Sequence, residues 1–279
     1  MSNFVSPEWV NDHVNDEQVI IFDCRFSLAE PKAGFEFYKK DHIKGAYYAD
    51  LNKDLSGQVS AHGGRHPLPS VNILSQFFSN CGVDSEKIVV AYDDESGAYA
   101  SRLWWLLNYI GHSKVFVMNC GYTHYKEKGY AISSKMPINK SGNFTPNVQS
   151  KMAVNKDELL KKIESDKYTI IDAREEGRYK GKFEPIDHKA GHIPTAVNVP
   201  WKTNYRFQGF WLNKEDLRAI YQQFSDKKEG QIVYCGSGVT ACINILAMNE
   251  AGIHNVSLYP GSWSDWISYE EHKIETEKD

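Results

Sequence analysis

A short apolar run leads directly into a turn rich in glycine and serine at Gln231-Ile232-Val233-Tyr234-Cys235-Gly236-Ser237-Gly238-Val239-Thr240. An apolar stretch with helical character follows and ends at Gly252, and glycine is favoured just after a helix. A strand, a tight turn and a helix in this order are typical of an α/β fold. The pattern therefore predicts a buried strand that ends next to Cys235.

The same pattern occurs earlier in the chain. An apolar run at Lys87–Tyr92 is followed by a Gly/Ser-containing turn and by an apolar stretch that ends at Gly111. Three further pairs of segments recur in the same order: Val19–Arg25 with Tyr168–Arg174, each ending in Asp-x-Arg; His42–Ala46 with His192–Ala196; and Lys114–Met118 with Asn255–Tyr259. Matching landmarks in one order predict an internal duplication.

Each half begins with a helix-capping signal. Ser6 precedes Pro7 in the first half, and Asn155 precedes a charged helical pattern in the second. Short apolar strands that alternate with helices predict a mainly parallel sheet flanked by helices in each half. Turn-forming residues without periodicity fill the region between the halves. We therefore expect domains at 1–136 and 153–279, joined by a linker at 137–152.

Composition excludes several classes of partner. The 279 residues are 41% apolar and 24% charged, with a formal charge of −4, so nothing favours general binding to nucleic acid or to anionic membranes. No apolar run approaches the roughly 18 residues that cross a bilayer, and the N-terminal residues lack the pattern of a secretory signal. We expect a cytoplasmic protein without nucleic-acid or membrane partners, either a monomer or a weak dimer.

The cysteines indicate a reducing compartment. They are odd in number, widely spaced and without a Cys-x-x-Cys motif, which argues against a disulfide framework and a structural zinc site. They are Cys24, Cys81, Cys120, Cys235 and Cys242. We expect free thiols, most of them buried as small apolar groups, and no bound metal.

Cys235 stands where the two halves differ. The first half has Asp93 at the same point, after its own strand. The carboxyl ends of parallel strands are where α/β proteins bind ligands, and a glycine turn followed by a helix directs backbone N–H groups toward an anion. Such a turn stabilises a thiolate, a persulfide or an oxyanion. The pattern predicts one active site, at Cys235, and a first half that is a non-catalytic scaffold.

The chain resembles, over nearly its whole length, a tandem-domain sulfurtransferase of the rhodanese and 3-mercaptopyruvate sulfurtransferase family. The stretch Cys235–Ala241 is similar to the active loop of the mercaptopyruvate branch, whereas the thiosulfate branch usually carries Arg-Lys at the positions of Gly236 and Ser237. The paired Asp-x-Arg and His-Ile motifs agree with this family. The resemblance implies two tandem rhodanese-like domains, of which the second is catalytic.

The chemistry implied by the resemblance is a two-step sulfur transfer. Cys235 takes a sulfane sulfur from a small anionic donor, thiosulfate or 3-mercaptopyruvate, and holds it as a persulfide. Cyanide, a small thiol or a protein thiol then accepts the sulfur, without a metal or an organic cofactor. Backbone amides of the loop, at Gly236, Gly238, Val239 and Thr240, are expected to bind the anionic substrate.

The resemblance also implies roles for three residues outside the loop. Arg178 matches the arginine that binds the donor's anionic group, a task that suits the two parallel hydrogen bonds of a guanidinium. His66 matches a histidine of the first half that faces the loop, and Asp50 matches an aspartate that follows the first His-Ile motif. With Ser237 they are expected to form a proton relay that helps the pyruvate enolate to leave.

One position departs from the family. Mercaptopyruvate enzymes usually carry a second arginine after a Glu-Pro pair, whereas Glu184-Pro185 is followed here by Ile186. Several cationic or titratable side chains are candidates to replace it: Lys180, Lys182, His188, Lys189 and Arg65. The loop thus favours mercaptopyruvate, while Ile186 leaves the identity of the donor open.

Two other functions are compatible with parts of the pattern. Phosphatases of related fold use Cys-x5-Arg, but the arginine would fall at Ala241, so this reading is disfavoured. A non-catalytic binding module, or a relay that passes sulfur from protein to protein, is the main alternative. Turnover of small donors and acceptors distinguishes an enzyme from such a module.

Overall fold

A computed structural model of the chain describes residues 2–206, 209–224 and 229–277. It divides into two compact units. Unit 1 comprises Met1–Gly57, Pro69–Gln149 and Tyr205–Trp211, and unit 2 comprises Gln58–Leu68, Ser150–Asn204 and Leu212–Asp279. The main boundary falls inside the predicted linker 137–152. Segments 58–68 and 205–211 belong to the unit other than the one that flanks them in sequence, which the sequence pattern did not indicate.

Unit 1 contains a parallel sheet and a short antiparallel pair. Its strands are β1 (Phe4–Val5), β2 (Val19–Asp23), β3 (His42–Ile43), β4 (Tyr47–Tyr48), β5 (Ile88–Tyr92), β6 (Val115–Met118) and β7 (Ile132–Ser133). In the part of the chain that the structure describes, the order of the parallel sheet is β1-β6-β5-β2-β4, and β3 pairs with β7. Every residue of β2 is buried, as expected for a strand covered on both faces.

Unit 1 also contains helices, and the sequence predicted the start of the first of them and the end of the fourth. They are α1 (Pro7–His13), α2 (Ala33–Lys40), α3 (Val71–Asn80), α4 (Ala100–Tyr109) and α5 (Tyr122–Glu127). Ser6 Oγ accepts the N–H of Trp9 at the start of α1. Gly111 follows α4 with φ +94°, the left-handed conformation that glycine adopts at low cost. The predicted caps at both positions are confirmed.

Unit 2 repeats this architecture. Its strands are β8 (Thr169–Asp172), β9 (Val197–Asn198), β10 (Gln231–Tyr234) and β11 (Val256–Leu258), and its helices are α6 (Lys156–Ser165), α7 (Glu176–Tyr179), α8 (Lys214–Tyr221), α9 (Ala241–Glu250) and α10 (Ser262–Trp266). The described strands form a parallel sheet in the order β11-β10-β8-β9. The predicted α/β class, with a mainly parallel sheet in each domain, is confirmed.

Helix α9 leads away from the strand that carries Cys235. All of its residues from Ala241 to Met248 are buried, so the helix packs on every side. It ends before Gly252, which has φ +87°, as predicted. At the start of the unit, Asn155 and Glu158 form a reciprocal capping box on α6. The burial of α9 and β10 anchors both ends of the intervening turn in the core.

The Asp-x-Arg motifs make the same contacts in both units. Arg25 Nη2 donates to Asp23 Oδ2 at 2.6 Å, and Arg174 Nη2 donates to Asp172 Oδ2 at 2.6 Å. Both arginines are buried and also donate to a backbone carbonyl at 2.6 Å. A buried charge is tolerated when it is paired in this way. The motifs therefore fix the carboxyl ends of β2 and β8.

The His-Ile motifs are also structural. His42 Nδ1 lies 2.7 Å from the carbonyl oxygen of Tyr38, and the two rings stack with centroids 4.1 Å apart. His192 Nδ1 lies 2.8 Å from the carbonyl oxygen of Tyr179, with ring centroids 3.8 Å apart. Equivalent contacts at both copies support the predicted duplication.

Candidate active site

Cys235 follows β10 directly, at the carboxyl edge of the sheet of unit 2. Its backbone is held on both sides by the start of α10: its N–H donates to Ser262 Oγ at 3.1 Å, and its carbonyl oxygen accepts the N–H of Trp263 at 2.9 Å. The residue is 1% exposed. The thiol-bearing residue is thus held in place, within the unit, at the edge where ligands bind.

The turn after Cys235 needs a glycine at position 238. Gly238 has φ +74°, and a Cβ there would lie 2.3 Å from the carbonyl oxygen of Pro260. Gly236 accepts the N–H of Ser264 at 3.0 Å through its carbonyl oxygen. The turn therefore passes so close to the backbone before α10 that a side chain at position 238 does not fit.

Asp93 in unit 1 shows what this kind of turn does. It follows β5 as Cys235 follows β10, and it is 2% exposed. Its carboxylate accepts four backbone N–H bonds of 2.8–2.9 Å, from Glu95, Gly97, Tyr99 and Ala100. The first half thus folds its turn around an anion that is part of its own chain.

The corresponding turn of unit 2 has a cysteine instead of the carboxylate. Gly97 and Gly238 have similar backbone angles, φ +82° and +74°, so the two turns share this feature. Within the described residues, no hydrogen bond is donated by the backbone N–H groups of four turn residues, Gly236, Ser237, Val239 and Thr240. These N–H groups are available to a negative charge that develops on sulfur at Cys235.

Ser237 and His66 lie together. Ser237 Oγ is 2.8 Å from His66 Nδ1, and both residues are buried. His66 belongs to segment 58–68, which is part of unit 2, so the structure places it beside the turn although it comes from the first half of the sequence. A hydroxyl and an imidazole at this distance can exchange a proton.

Arg178 lies in α7 and is held by two carboxylates. Its Nε donates to both oxygens of Glu184, at 3.0 and 2.9 Å, and its Nη2 donates to Asp187 Oδ2 at 3.1 Å. Glu184 also pairs with Arg174 at 3.3 Å. The side chain of Arg178 is 12% exposed, so it is not a solvated surface ion pair.

The two carboxyl groups respond differently to this environment. Burial raises the pKa of Asp187 above its usual range, and the charges of Arg65 and Arg178 only partly oppose this effect. Burial acts in the same direction on Glu184, but the hydrogen bonds and charge of Arg178 outweigh it and hold the pKa of Glu184 below its usual range. Glu184 is therefore the firmer anionic partner of Arg178.

Arg65 was one of several candidates for the missing second cation, and the sequence did not show that it lies beside the turn. Its Nε lies 3.1 Å from Asp187 Oδ1, and its Nη2 donates to Asp187 Oδ2 at 3.3 Å. A Cβ on Gly236 would lie 2.7 Å from Arg65 Nη2 and 3.5 Å from Arg178 Nη2. The signal in the sequence was its place next to His66.

Asp50 lies in unit 1, where local contacts account for its burial. Its Oδ1 accepts the backbone N–H groups of Asn52 and Lys53 at 2.8 and 3.1 Å, and its N–H donates to Asp54 Oδ2 at 2.9 Å. These bonds orient the carboxylate within a turn. The predicted role of Asp50 in the relay stays a prediction.

Three further findings concern metal ions, membranes and the cysteines. Among residues 2–206, 209–224 and 229–277, no cluster of three or more His, Cys, Asp or Glu side chains is arranged to hold a metal ion. Over the same residues, none of the helices has the length and apolar character to cross a membrane. All five cysteines are free and buried, as expected.

Known proteins resemble this chain along most of its length. A protein of Pseudomonas aeruginosa named "Probable 3-mercaptopyruvate sulfurtransferase" is 35% identical over 270 residues, which cover 94% of each chain. The thiosulfate sulfurtransferase of Rattus norvegicus is 29% identical over 273 residues, covering 94% of this chain and 91% of the rat protein. The names of these two relatives differ in the sulfur donor.

The structural comparison agrees with the sequence comparison. The crystal structure of the 3-mercaptopyruvate sulfotransferase SseA from Escherichia coli matches with a TM-score of 0.83 at 29% identity, covering 95% of this chain and all of the other. The family model of the rhodanese-like domain matches twice, at residues 6–128 and 155–269. Two copies of the domain fold and repeated contacts at the same motifs agree with these matches: the chain belongs to the rhodanese-like domain family, of which it carries two domains in tandem.

Proposed function

We propose that this protein is a sulfurtransferase that carries sulfur as a persulfide on Cys235. The observation that carries the proposal is the turn after β10, where four backbone N–H groups without described partners follow a cysteine at the carboxyl edge of the sheet. The relatives named as sulfurtransferases support the reaction class. Asp93 supports the role of the turn, since it shows the same kind of turn folded around a negative charge.

In the first step, the Cys235 thiolate attacks the sulfane sulfur of the donor. With 3-mercaptopyruvate the S–C bond breaks, its electron pair forms the pyruvate enolate, and the thiol proton of the donor is delivered to that carbon. With thiosulfate the S–S bond breaks and sulfite leaves with the electron pair. The turn N–H groups, including those of Val239 and Thr240, stabilise the negative persulfide sulfur.

We propose that Ser237 and His66 carry the proton in the mercaptopyruvate reaction. Their atoms are 2.8 Å apart, within reach for proton transfer, and Ser237 is two residues from the nucleophile. Asp50 is the third proposed member, oriented by its bonds in unit 1. Arg178 is proposed to bind the anionic group of the donor.

In the second step, a thiolate or cyanide attacks the outer persulfide sulfur and the Cys235 thiolate leaves. We propose a small thiol, a protein thiol or cyanide as the acceptor, and a cytoplasmic monomer or weak dimer as the working form. Five free cysteines are typical of a reducing compartment. Light scattering during size-exclusion chromatography tests the oligomeric state.

Steady-state kinetics test the proposal. Initial rates with varied donor and acceptor should give the parallel double-reciprocal lines of a ping-pong reaction, and Cys235→Ser should abolish turnover. Cys242→Ser is the matched control, because Cys242 is also a buried thiol in the same unit. Turnover that survives in Cys235→Ser, or wild-type protein inactive with both donors, contradicts the proposal.

A further inference from the structure

A cavity of about 310 Å³ opens in unit 1, at the carboxyl edge of its parallel sheet. Its lining includes Arg25, which comes two residues after β2, the turn at Asp94 and Glu95 after β5, and the first residues of α5. Pockets that hold small ligands begin at roughly 300 Å³, and this edge of a parallel sheet is where α/β proteins bind them. The sulfur transfer proposed at Cys235 does not use this cavity.

Arg25 offers an unused hydrogen-bond donor to the cavity. The residue is 6% exposed, and its Nε and Nη2 atoms bind Asp23 and the carbonyl oxygen of Asp41. In the part of the chain that the structure describes, its Nη1 donates no hydrogen bond, and Asp41 Oδ1 lies 4.0 Å from it, too far for one. The Asp41 carboxylate instead accepts from Tyr122 Oη at 2.6 Å and from Lys126 Nζ at 2.8 Å.

The equivalent arginine of unit 2 shows what this nitrogen binds when the chain supplies an acceptor. Arg174 Nη1 donates to Glu184 Oε2 at 3.3 Å, and Arg174 Nη2 donates to a backbone carbonyl as Arg25 Nη2 does. The two carbonyls belong to Gly191 and Asp41, which stand directly before the two His-Ile motifs. Among the described residues, no carboxylate takes the place of Glu184 at Arg25. A carboxylate from a ligand fits this vacant place.

The rest of the lining carries charges of both signs. Among the described residues of the cavity, three are cationic and three are anionic: Arg25, Lys40, Lys126, Asp41, Asp94 and Glu95. These carboxylates would repel a simple anion, whereas a zwitterion finds a partner for each of its charges. Within the described part of the chain, the exposed side chains of Lys40 and Glu95 have no hydrogen bond or ion pair, so both are available to a ligand.

Aromatic rings supply the apolar part of the lining. Phe26 is buried, and Phe37 is 53% exposed. The ring of Tyr122 lies under the guanidinium of Arg25, with its centroid 4.0 Å from Arg25 Cζ. Rings of this kind cover an apolar group of a ligand. The cavity is therefore suited to a small molecule that combines a carboxylate, a cationic group and an apolar body.

We propose that unit 1 binds a free α-amino acid with an apolar side chain in this cavity. The carboxylate of the amino acid binds Arg25 Nη1 and Lys40, and its ammonium group binds Glu95. Its side chain packs against Phe26 and Phe37. Unit 1 is then a ligand-binding domain, and this role is independent of a persulfide on Cys235.

Calorimetric titration of the full chain with three small molecules tests the chemistry of the ligand without any substitution. The probes are L-leucine, isocaproate, which lacks the ammonium group, and isopentylamine, which lacks the carboxylate. L-leucine should bind with a Kd of about 1 mM or lower. Each of the other two should bind at least about 10-fold more weakly, because each lacks one of the two charged contacts.

Variants at the rim test the location of the site. Lys40→Ala and Glu95→Gln should each weaken the binding of L-leucine about 3-fold or more, as expected for exposed charged contacts. Both positions are exposed, so the fold should be retained. Lys39→Ala is the matched control, since this neighbouring lysine of α2 pairs with Glu36 at 2.8 Å. It should bind L-leucine like the wild-type protein.

Three results overturn the proposal. The first is a wild-type protein that shows no binding of L-leucine at about 10 mM, well above the expected Kd. The second is binding of isocaproate or isopentylamine as tight as that of L-leucine. The third is wild-type affinity for L-leucine in both Lys40→Ala and Glu95→Gln, which would place the bound molecule elsewhere. Sulfur transfer is measured separately, since Cys235 should gain sulfur from its donor in all of these variants.

Discussion

His66 Nδ1 lies 2.8 Å from Ser237 Oγ, although the two residues are 171 positions apart in the chain. Removing the hydroxyl in Ser237→Ala should lower kcat/KM for 3-mercaptopyruvate about 100-fold or more, since general acid–base steps contribute at least this much. Transfer from polysulfide should be nearly unchanged, because no carbanion has to be protonated. Pyruvate release and stopped-flow persulfide formation measure the two reactions.

A second histidine–serine pair in unit 2 provides the control. His62 Nδ1 lies 2.8 Å from Ser268 Oγ, but this pair is exposed. Ser268→Ala should leave both reactions at wild-type rates. An equal loss in Ser237→Ala with polysulfide and with mercaptopyruvate would argue that Ser237 shapes the turn and transfers no proton.

The two glycines of the turn should respond differently to alanine. Gly238→Ala places a Cβ 2.3 Å from a backbone oxygen at φ +74°, so we expect a loss of about 2–4 kcal/mol in the free energy of unfolding. Gly236→Ala meets only the ends of three side chains, those of Arg65, Arg178 and Asp187. It should cost less than about 1 kcal/mol but raise KM for anionic donors.

Urea denaturation and steady-state kinetics of the two glycine variants make this comparison. Equal destabilisation by Gly236→Ala and Gly238→Ala would show that the close passage of the backbone at Pro260 is not what requires a glycine. An unchanged KM in Gly236→Ala would show that the guanidiniums beside it do not contact the donor.

Asp93 should be important for the stability of unit 1. Asp93→Ala leaves four backbone N–H groups without their acceptor, three of them in bonds that are fully buried, and each unpaired group costs about 1–3 kcal/mol. After partial relaxation we expect a loss of about 3 kcal/mol or more in the free energy of unfolding. Asp93→Asn retains one acceptor oxygen and should lose less.

The matched control is Asp84, whose Oδ1 accepts the N–H groups of Glu86 and Lys87 at 2.8 and 3.1 Å in an exposed turn. Asp84→Ala should cost about 1 kcal/mol or less, because water replaces the lost acceptor. Similar losses in Asp84→Ala and Asp93→Ala would mean that the buried turn is not organised by the carboxylate.

Asp54 should make stability depend on pH. Burial raises its pKa to about 6, and the nearby charge of Asp50 acts in the same direction. A folded-state pKa above the unfolded value of about 3.9 means that the folded protein binds the proton more tightly. The resulting stabilisation is present below about pH 4 and is lost as pH rises through about 6.

Replacing Asp54 by Asn removes this dependence while keeping an oxygen for the N–H of Asp50. The difference in unfolding free energy, wild type minus Asp54→Asn, should fall by about 2–3 kcal/mol between pH 4 and pH 7. Urea titrations at several pH values measure it. Parallel pH profiles of the two proteins would contradict the assigned pKa.

The sequence was sufficient for the fold because its signals are local and repeated. Helix caps at Ser6 and Asn155 depend only on neighbouring residues. The two copies of the Asp-x-Arg motif predict the same local structure, so each supports the assignment of the other. Segment 58–68 was not predictable in the same way, since its place in unit 2 depends on contacts such as that of Gly63 N–H with Asp265 Oδ1 at 2.7 Å. Hydrophobic periodicity indicates local structure, and it does not indicate a contact between residues as far apart in the chain as Gly63 and Asp265.

In the candidate site, too, local features could be predicted from the sequence and long-range contacts could not. Cys235 was identifiable because strand, turn and helix are continuous in the chain, and because Asp93 stands at the same point in the other half. Arg65 could only be one of several candidates, since its position near Gly236 depends on the packing of Gly64 and Ser264. The side-chain partners of Arg178 likewise required the structure.

Mass spectrometry of Cys235 after incubation with excess donor tests the central claim most directly. Wild-type protein should gain about 32 Da, the mass of one sulfur atom, on the peptide that contains Cys235, and cyanide should remove it. Cys242→Ser should gain the same mass, and Cys235→Ser should gain none. Absence of the adduct from wild-type protein would contradict the account. So would a Cys235→Ser variant that gains sulfur on another cysteine and still transfers it to an acceptor.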